Sequence, residues 1–437
     1  MNEEERVGTG HLARTGSILS LLLAVVACSS TATPGPTASP RQMTPAEPSP
    51  TLIASGVGLP TAPPLTTPSP TASPRPMAPA TVKPGPAMAQ ARRGQAAVRL
   101  HDGRVLIMGG TVPFTGKCEM ACIAPATASV EVYDPSTGKF SPYGSLAAPR
   151  TDGEALLLND GRVLVSGGNG QYGGDAPTIE IYDPAKKTSV AVKLPANVER
   201  LPASPTVVLL ADGRVLIAGG SYDSLNTTSN TTLIFDPASG GFSNGPLMAE
   251  PRQGATATLL DDGRVLITGG DYYEGFYGYA KNDAELIDPS RPLSQSTLVV
   301  SQYSATSTLL SDGRVLVAGG GPYDSGAGCI SPVASEVFDP STDRFTPVGP
   351  MGTPRSGSAA IKVQDGRVLF FGGVDSNCAA VGTVEVFDPD SGTFQVIATG
   401  FPKISGFSVT LLDDGEILIV GGGIDWNMTT ASWFLEP

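Results

Sequence analysis

Short apolar runs recur along the chain, each set between an Asp-Gly pair and a pair of glycines. One example is VLIAGG, which follows Asp212-Gly213-Arg214. Asp-Gly supplies the positive φ that a tight hairpin turn needs, and a run that is apolar on both faces is typical of a strand buried between two sheets. The pattern therefore predicts a β-hairpin at each of its seven occurrences, whose aspartates are Asp102, Asp160, Asp212, Asp262, Asp312, Asp365 and Asp414.

The seven hairpins are spaced at a nearly constant interval. Successive aspartates lie 58, 52, 50, 50, 53 and 49 residues apart, and a period near fifty is typical of propeller blades. In the third repeat, residues 204–210, 214–220, 231–237 and 241–247 are separated by turn residues and predict four antiparallel strands. Such units repeated around a ring form an all-β propeller.

The two ends of the repeat region predict that the ring closes. The seventh repeat stops at SWFLEP (432–437), after its third strand. The segment ATVKPGPAM (80–88) is similar to the fourth strands FTPVGPM and FSNGPLM. We expect residues 80–88 to complete the last blade, because this pairing removes an open sheet edge.

Third-strand motifs connect these repeats to a known family. The motifs are EVYDP at 131–135, EIYDP at 180–184, and EVFDP at 336–340 and 385–389, and an aromatic residue follows seven positions after the motif's own aromatic in several repeats. With the double glycine of every repeat, residues 80–437 resemble the kelch repeats. The resemblance implies a seven-bladed kelch-type β-propeller with four-stranded antiparallel blades. Phe replaces the usual Trp at the later aromatic position, and the second and fourth repeats are degenerate.

The residues before the repeats predict export and anchoring. Residues 17–27 are apolar but too short to span a membrane, and Cys28 follows Ala27 in a sequence that resembles a bacterial lipobox. We expect residues 1–28 to be a signal peptide with Cys28 lipidated, although a signal cleaved elsewhere is the alternative. Residues 29–79 are rich in Pro, Thr, Ser and Ala and predict a disordered tether. The propeller, 80–437, would then lie at the cell surface or the outer face of the membrane, held by the lipid alone, as a monomer.

Variable residues fall on the loops after the double glycines and on the links between repeats. In a four-stranded blade these segments share one face, which is where binding usually occurs. We expect this face to bind a glycan or a protein, because exposed aromatics and charges suit both. The alternatives are that the tyrosines pack their own loops and that the arginines tie blades together. The candidates are Tyr172, Tyr222, Asp223, Tyr272, Tyr273, Glu274, Tyr277, Tyr279, Tyr323, Asp324, Asp375, Asp425, Trp426, Arg150, Arg252 and Arg355.

Four further cysteines suit an oxidising compartment. Cys118 and Cys122 lie in one loop, and Cys329 and Cys378 lie in equivalent loops of adjacent repeats. Three pairings are possible for four cysteines, and we predict Cys118–Cys122 and Cys329–Cys378. A metal site at the first pair is the rival, but no histidine lies nearby.

Composition excludes several functions. Lys and Arg number 28 against 41 Asp and Glu, a net charge of −13 with no basic tract, which excludes nucleic acid as a partner. The two histidines, one of them in the signal region, cannot build the copper site of the galactose oxidases found among kelch-type propellers, nor a Ser-His-Asp triad. No metal or cofactor is expected. A metal-free carbohydrate-active enzyme, such as a sugar epimerase or mutarotase, at the channel mouth is the alternative to a binding protein.

Overall fold

The structure is a computed structural model. It describes residues 76–114, 124–170, 179–195, 202, 204–221, 228–274, 277–281, 283–288, 294–297, 305–320, 335–424 and 427–436. The chain divides into two units, 1–66 and 67–437, and all described residues belong to the second. Every regular element in these ranges is a β-strand, and they contain no helix that could cross a membrane.

The strands follow the repeats that the sequence predicts. Before the repeats lies β1 (Val82–Pro84). The first two repeats hold β2 (Ala96–Arg99), β3 (Val105–Met108), β4 (Ser129–Asp134), β5 (Lys139–Ser145), β6 (Glu154–Leu157), β7 (Val163–Ser166), β8 (Ile179–Asp183) and β9 (Thr188–Ala191). The third and fourth hold β10 (Thr206–Leu209), β11 (Val215–Ala218), β12 (Thr232–Asp236), β13 (Gly241–Asn244), β14 (Thr256–Leu259), β15 (Val265–Thr268), β16 (Asp271–Glu274), β17 (Tyr277–Ala280), β18 (Asp283–Ile287) and β19 (Ser294–Thr297). The last three hold β20 (Thr306–Leu309), β21 (Val315–Ala318), β22 (Glu336–Asp339), β23 (Arg344–Pro347), β24 (Ala359–Lys362), β25 (Val368–Phe371), β26 (Val384–Asp388), β27 (Thr393–Ala398), β28 (Ser405–Leu411), β29 (Ile417–Ile424), β30 (Asn427–Met428) and β31 (Ser432–Leu435).

Each repeat forms an antiparallel array whose strands are paired in chain order. The third repeat has the order β10-β11-β12-β13, and the sixth has β24-β25-β26-β27. The fourth pairs β14-β15-β18-β19, and its β16 and β17 form a separate hairpin. A single parallel bridge between Ser145 and Thr188 joins the arrays of the first two repeats into one eight-stranded sheet.

The first strands of the arrays form a closed cycle. β2 contacts β6, and contacts continue through β10, β14, β20, β24 and β28, which contacts β2 again. This cycle of antiparallel arrays confirms the expected all-β propeller. The number of blades stays a prediction, because the first two arrays share one sheet.

The core lies between neighbouring arrays. The second strand of each repeat is buried over its four or more residues up to the double glycine, as its doubly apolar sequence predicts. Aromatic pairs seven residues apart add to this core. The rings of Phe338 and Phe345 lie 4.9 Å apart and tilted, a geometry favoured by aromatic quadrupoles. The same pairing occurs in Tyr133–Phe140, Phe235–Phe242 and Phe387–Phe394.

The N-terminal segment completes the last sheet, as the sequence predicts. β1 pairs antiparallel with β31, with Val82 opposite Leu435 and Lys83 opposite Phe434. The seventh array therefore has the order β28-β29-β31-β1. The first and the last of the described strands are therefore neighbours.

Candidate functional site

The two faces of the propeller carry different kinds of residue. The Asp-Gly turns lie with the turns that follow the third strands, since Arg162 donates to the carbonyl of Pro237 at 2.8 Å and Arg264 to that of Pro340 at 2.6 Å. On the opposite face, the links between repeats pair with the residues that follow the double glycines. Isolated bridges of this kind join Arg93 to Thr111, Thr151 to Asn169, Gln253 to Asp271 and Ser356 to Val374. We call this second surface the long-loop face.

The link arginines do not line this face, contrary to their place among the candidate binding residues. Arg150, Arg252 and Arg355 are at most 2% exposed. The guanidinium of Arg355 donates to a carboxylate oxygen of Glu385 at 2.6 Å and to the Gly372 carbonyl at 3.1 Å. The geometry supports the alternative that these arginines are structural: each holds the link that enters a repeat to the array of that repeat.

The same arrangement recurs in four repeats. In each, the arginine bonds a glycine carbonyl at the end of the second strand and a glutamate on the third strand. The other oxygen of that glutamate accepts a backbone N–H from the link that precedes the first strand of the same repeat. For Glu385 this amide belongs to Gly352, at 2.6 Å. A buried charge pair with all these bonds fixes four chain segments at once. The other pairs are Arg92–Glu131, Arg150–Glu180 and Arg252–Glu285.

The tyrosine-rich segment of the fourth repeat is described only in part. Its β16–β17 hairpin pairs Tyr272 with Tyr279 and Glu274 with Tyr277. Lys281 Nζ lies 4.2 Å from the centre of the Tyr272 ring and 2.8 Å from Glu250 Oε2. A cation over an aromatic face is attracted to it, so this ring is held at the base of the hairpin.

Most other predicted loop residues lie outside the described residues: Tyr172, Tyr222, Asp223, Tyr323, Asp324, Asp425 and Trp426. Of Tyr273, only the position on β16 is described. Asp375 is described, and its carboxylate accepts the amides of Asn377 and Ala379, so it caps its own loop. Cys378 is disulfide-bonded, whereas Cys28, Cys118, Cys122 and Cys329 lie outside the described residues, so both predicted pairings stay predictions.

The centre of the long-loop face is lined by the links where they pass the axis. Backbone bonds connect neighbouring links here: Gly94 N–H donates to the Gly406 carbonyl, and Asp152 N–H to the Gly94 carbonyl, both at 2.7 Å. Most link residues at this position are glycines with positive φ, such as Gly94, Gly254, Gly357 and Gly406. Asp152 has φ 58° at the same position, where a non-glycine residue is strained. We call this ring of link residues the channel mouth.

Asp152 is exposed at the channel mouth, where the Thr151 hydroxyl and the positive charge of Arg93 lie near its carboxylate. Its carboxylate accepts a 3.2 Å hydrogen bond from the Thr151 hydroxyl, which itself accepts one from Thr111 at 2.8 Å. A side chain at Gly94 would collide with this carboxylate, so glycine is required there. Protein around the carboxylate raises the pKa of Asp152 by desolvation, while the Thr151 bond and the charge of Arg93 act in the opposite direction.

Glu154 begins β6, one of the inner strands, two residues farther along. Solvent reaches this side chain, and its carboxylate accepts the Val207 amide of β10 at 3.2 Å. The inner strands around it desolvate the charged form, which raises the pKa of Glu154 to about 7. A carboxyl group whose pKa is raised in this way is a candidate for proton transfer.

The sequence interpretation missed Asp152 and Glu154. It grouped the links by their arginines, which turn into the core. The available signal was the link R-T-D-G-E (150–154), in which an aspartate stands where RRG (92–94), RQG (252–254) and RSG (355–357) have glycine. Among the described residues, no group of three or more His, Cys, Asp or Glu side chains is arranged to hold a metal.

Comparisons with known proteins agree with the fold. The kelch motif model matches residues 92–147. A solved fungal alcohol oxidase, described as having catalytic diversity among the AA5 family and solved with copper, superposes with a TM-score of 0.64 at 18% identity, covering 81% of this chain and 76% of its own. No curated protein matches the sequence. The superposition shows that the chain has a propeller fold, and the motif match places a kelch motif in its first repeat.

Proposed function

We propose that this protein is a binding propeller that recognises a glycan or a protein partner at the channel mouth and the loops around it. The observation that carries the proposal is the cluster of Asp152, Glu154 and Arg93 on the long-loop face. Asp152 and Glu154 are accessible to solvent, and Arg93 lies near enough to act on the Asp152 charge. Kelch propellers in general mediate binding, which agrees with this role.

The chemistry of the cluster suits hydroxyl-bearing or charged groups. Carboxylates accept hydrogen bonds from ligand donors, and such charge-assisted bonds are stronger than neutral ones. Thr111 and Thr151 add hydroxyl groups that both donate and accept. Tyr272 stands on the same face at the start of the hairpin and offers apolar ring surface.

The setting of this function follows from the sequence predictions. We propose seven blades, a Cys329–Cys378 bridge that rigidifies the long-loop face, and lipidation at Cys28. The protein would then act outside the cytoplasm, at the outer surface of a bacterial membrane, and the segment 29–79 would present the propeller to its partner.

Two assays test the proposal, binding to a glycan array and a protein pull-down. Both compare the wild type with a double variant and a control variant. Asp152→Asn with Glu154→Gln removes both carboxylates but keeps their shape. Bonds to charged groups are worth about 1.5–3 kcal/mol, so we expect at least about a tenfold loss of binding. Asp212→Asn, on the opposite face and paired with Arg214, is the matched control. Unchanged binding by the double variant would refute a site at the channel mouth.

Proton-transfer catalysis is the second candidate function, and Glu154 is the observation that favours it. A carboxyl group with a pKa of about 7 is suited to general acid–base work on a sugar at neutral pH. Purified protein incubated with reducing sugars, with anomer and epimer interconversion followed by NMR, distinguishes the two. Turnover by the wild type that Glu154→Gln abolishes would establish the enzyme. Binding without turnover leaves the binding propeller.

A further inference from the structure

The surface formed by the Asp-Gly turns, which we call the Asp-Gly face, carries one salt bridge in six repeats but not in the seventh. The aspartate of each of the six turns binds the arginine two residues later, whose Nε lies 2.7–2.9 Å from a carboxylate oxygen. In the seventh repeat, Glu416 stands at the arginine position, after Asp414-Gly415. Asp414 accepts the Glu416 backbone amide at 3.0 Å, and no lysine or arginine within the described residues forms an ion pair with it.

In two repeats the same arginine also reaches the next repeat. Arg162 donates to the Pro237 carbonyl at 2.8 Å, and Arg264 donates to the Pro340 carbonyl at 2.6 Å. Each proline belongs to the Asp-Pro turn that follows the third strand of the next repeat. The space between these repeats therefore holds a guanidinium group that bridges an aspartate of one repeat and a carbonyl of the next.

At the junction of the seventh and first repeats, both acceptors are present and the chain supplies no arginine between them. Asp414 and Pro135, which is equivalent to Pro237 and Pro340, line one groove of about 440 Å³. The carboxyl group of Glu416 hydrogen-bonds to that of Glu436 next to β31. The groove thus offers the two kinds of acceptor that hold a guanidinium group at the other junctions.

The charges around this groove favour a cation. Four carboxylates and one guanidinium line it: Asp102, Asp134, Asp413, Asp414 and Arg104. Arg104 is paired with Asp102, and Arg99 is paired with Asp413. Four carboxylates therefore face two guanidinium groups, which leaves a net negative charge. A further guanidinium suits this setting because its planar fork of donors matches carboxylate and carbonyl oxygens.

We propose that the groove between the seventh and first repeats is a docking site that receives an arginine side chain of a partner protein. The guanidinium group takes the place that Arg162 and Arg264 fill at their junctions, and it bridges Asp414 and the Pro135 carbonyl. A lysine would fit less well, because its ammonium group is a compact point charge without the planar fork. The site lies on the face opposite the channel mouth, so it is independent of the binding proposed there.

Filling the groove from within the chain tests the proposal in the full-length protein. The probe is the peptide acetyl-Gly-Arg-Gly-amide, and its binding is followed by saturation-transfer NMR. Glu416→Arg gives the seventh repeat the arginine that the other six have, so its side chain should occupy the groove and weaken peptide binding at least about tenfold. Asp414→Asn keeps a residue that suits the turn but removes the receiving charge, and we expect a similar loss. Unchanged melting temperatures establish that both variants are folded.

Asp261→Arg is the charge-matched control. Asp261 is exposed beside the Asp-Gly turn of the fourth repeat, so this variant adds the same charge to the same face outside the groove. It should leave peptide binding within about twofold of the wild type, because solvent and salt screen distant charges. Asp152→Asn with Glu154→Gln should also leave it unchanged, which separates this site from the channel mouth.

Four results would overturn the proposal. The first is no binding of the arginine peptide by the wild type, and the second is equal binding of a peptide with neutral citrulline in place of arginine. The third is equal binding by Glu416→Arg and Asp261→Arg, which would indicate only general attraction between charges. The fourth is self-association of the wild type that Glu416→Arg abolishes, which would assign the arginine to a second copy of this chain instead of a different protein.

Discussion

The buried pair of Arg355 and Glu385 allows a quantitative test of what holds each link to the array that follows it. Both side chains are 0% exposed, and the Glu385 carboxylate accepts the guanidinium at 2.6 Å and the amides of Gly352 and Thr353 at 2.6 and 2.8 Å. Glu385→Gln keeps the volume but leaves the Arg355 charge buried without its partner. Breaking a buried pair in this way costs about 3–5 kcal/mol.

For a domain of this size, a loss of about 4 kcal/mol lowers the melting temperature by about 5 °C. Differential scanning calorimetry of the purified protein would measure this shift. Asp212→Asn is a matched control, because it removes the same charge from a pair whose side chains are 40% and 50% exposed and should cost no more than about 1 kcal/mol. The expected change is roughly 1 °C per kcal/mol. If both variants melt within about 1–2 °C of the wild type, the buried arginine pairs do not stabilise the fold in this way.

Two further predictions concern a carboxyl group and a glycine. Because the pKa of Glu154 is raised from 4.5 to about 7, the folded protein binds a proton that the unfolded chain has released, so the unfolding free energy falls as pH rises through this window. The full shift corresponds to about 3 kcal/mol, which solvent screening reduces to about 1 kcal/mol. Urea titrations at pH 4.5 and 7.5 should show this decrease in the unfolding free energy of the wild type, and the decrease should be absent in Glu154→Gln. An equal decrease in both proteins would contradict the assignment. Gly144→Ala should destabilise the junction of the first two arrays by more than the roughly 1–2 kcal/mol cost of a Cβ at positive φ, since its Cβ would collide with the Lys187 carbonyl. Gly138→Ala, also at positive φ but with nothing within 4 Å, isolates the conformational cost, and similar melting curves for the two alanine variants would count against the collision.

Those parts of the fold that depend on neighbouring residues could be predicted from the sequence. An Asp-Gly turn fixes the register of the two strands that it joins. The hairpin around Asp212 can therefore be predicted from about ten residues of sequence. The pairing of Phe338 with Phe345 follows from the turn between them. Closure by β1 was predictable because residues 80–88 are similar to the other fourth strands.

The candidate site depends on the ring, and this is why the sequence alone misplaced it. Whether Arg355 points to solvent or into the core is decided by Glu385 on another strand, thirty residues away. The approach of Asp152 to Gly94 depends on links from different repeats meeting at the axis. Desolvation of Glu154 likewise arises from strands that no local pattern brings together. Composition and spacing carry no information on such distances.

The pairing of β1 with β31 has a consequence for how the chain is made. The Lys83–Glu436 contact joins residues 353 positions apart, so all the intervening repeats must be synthesised before the final array can be completed. Contacts of such long sequence separation form slowly. During synthesis the repeats can assemble one after another, but β1 stays unpaired until β31 has been made. Closure therefore comes after the synthesis of every repeat, and a chain cut before β31 would leave an incomplete ring rather than a smaller propeller.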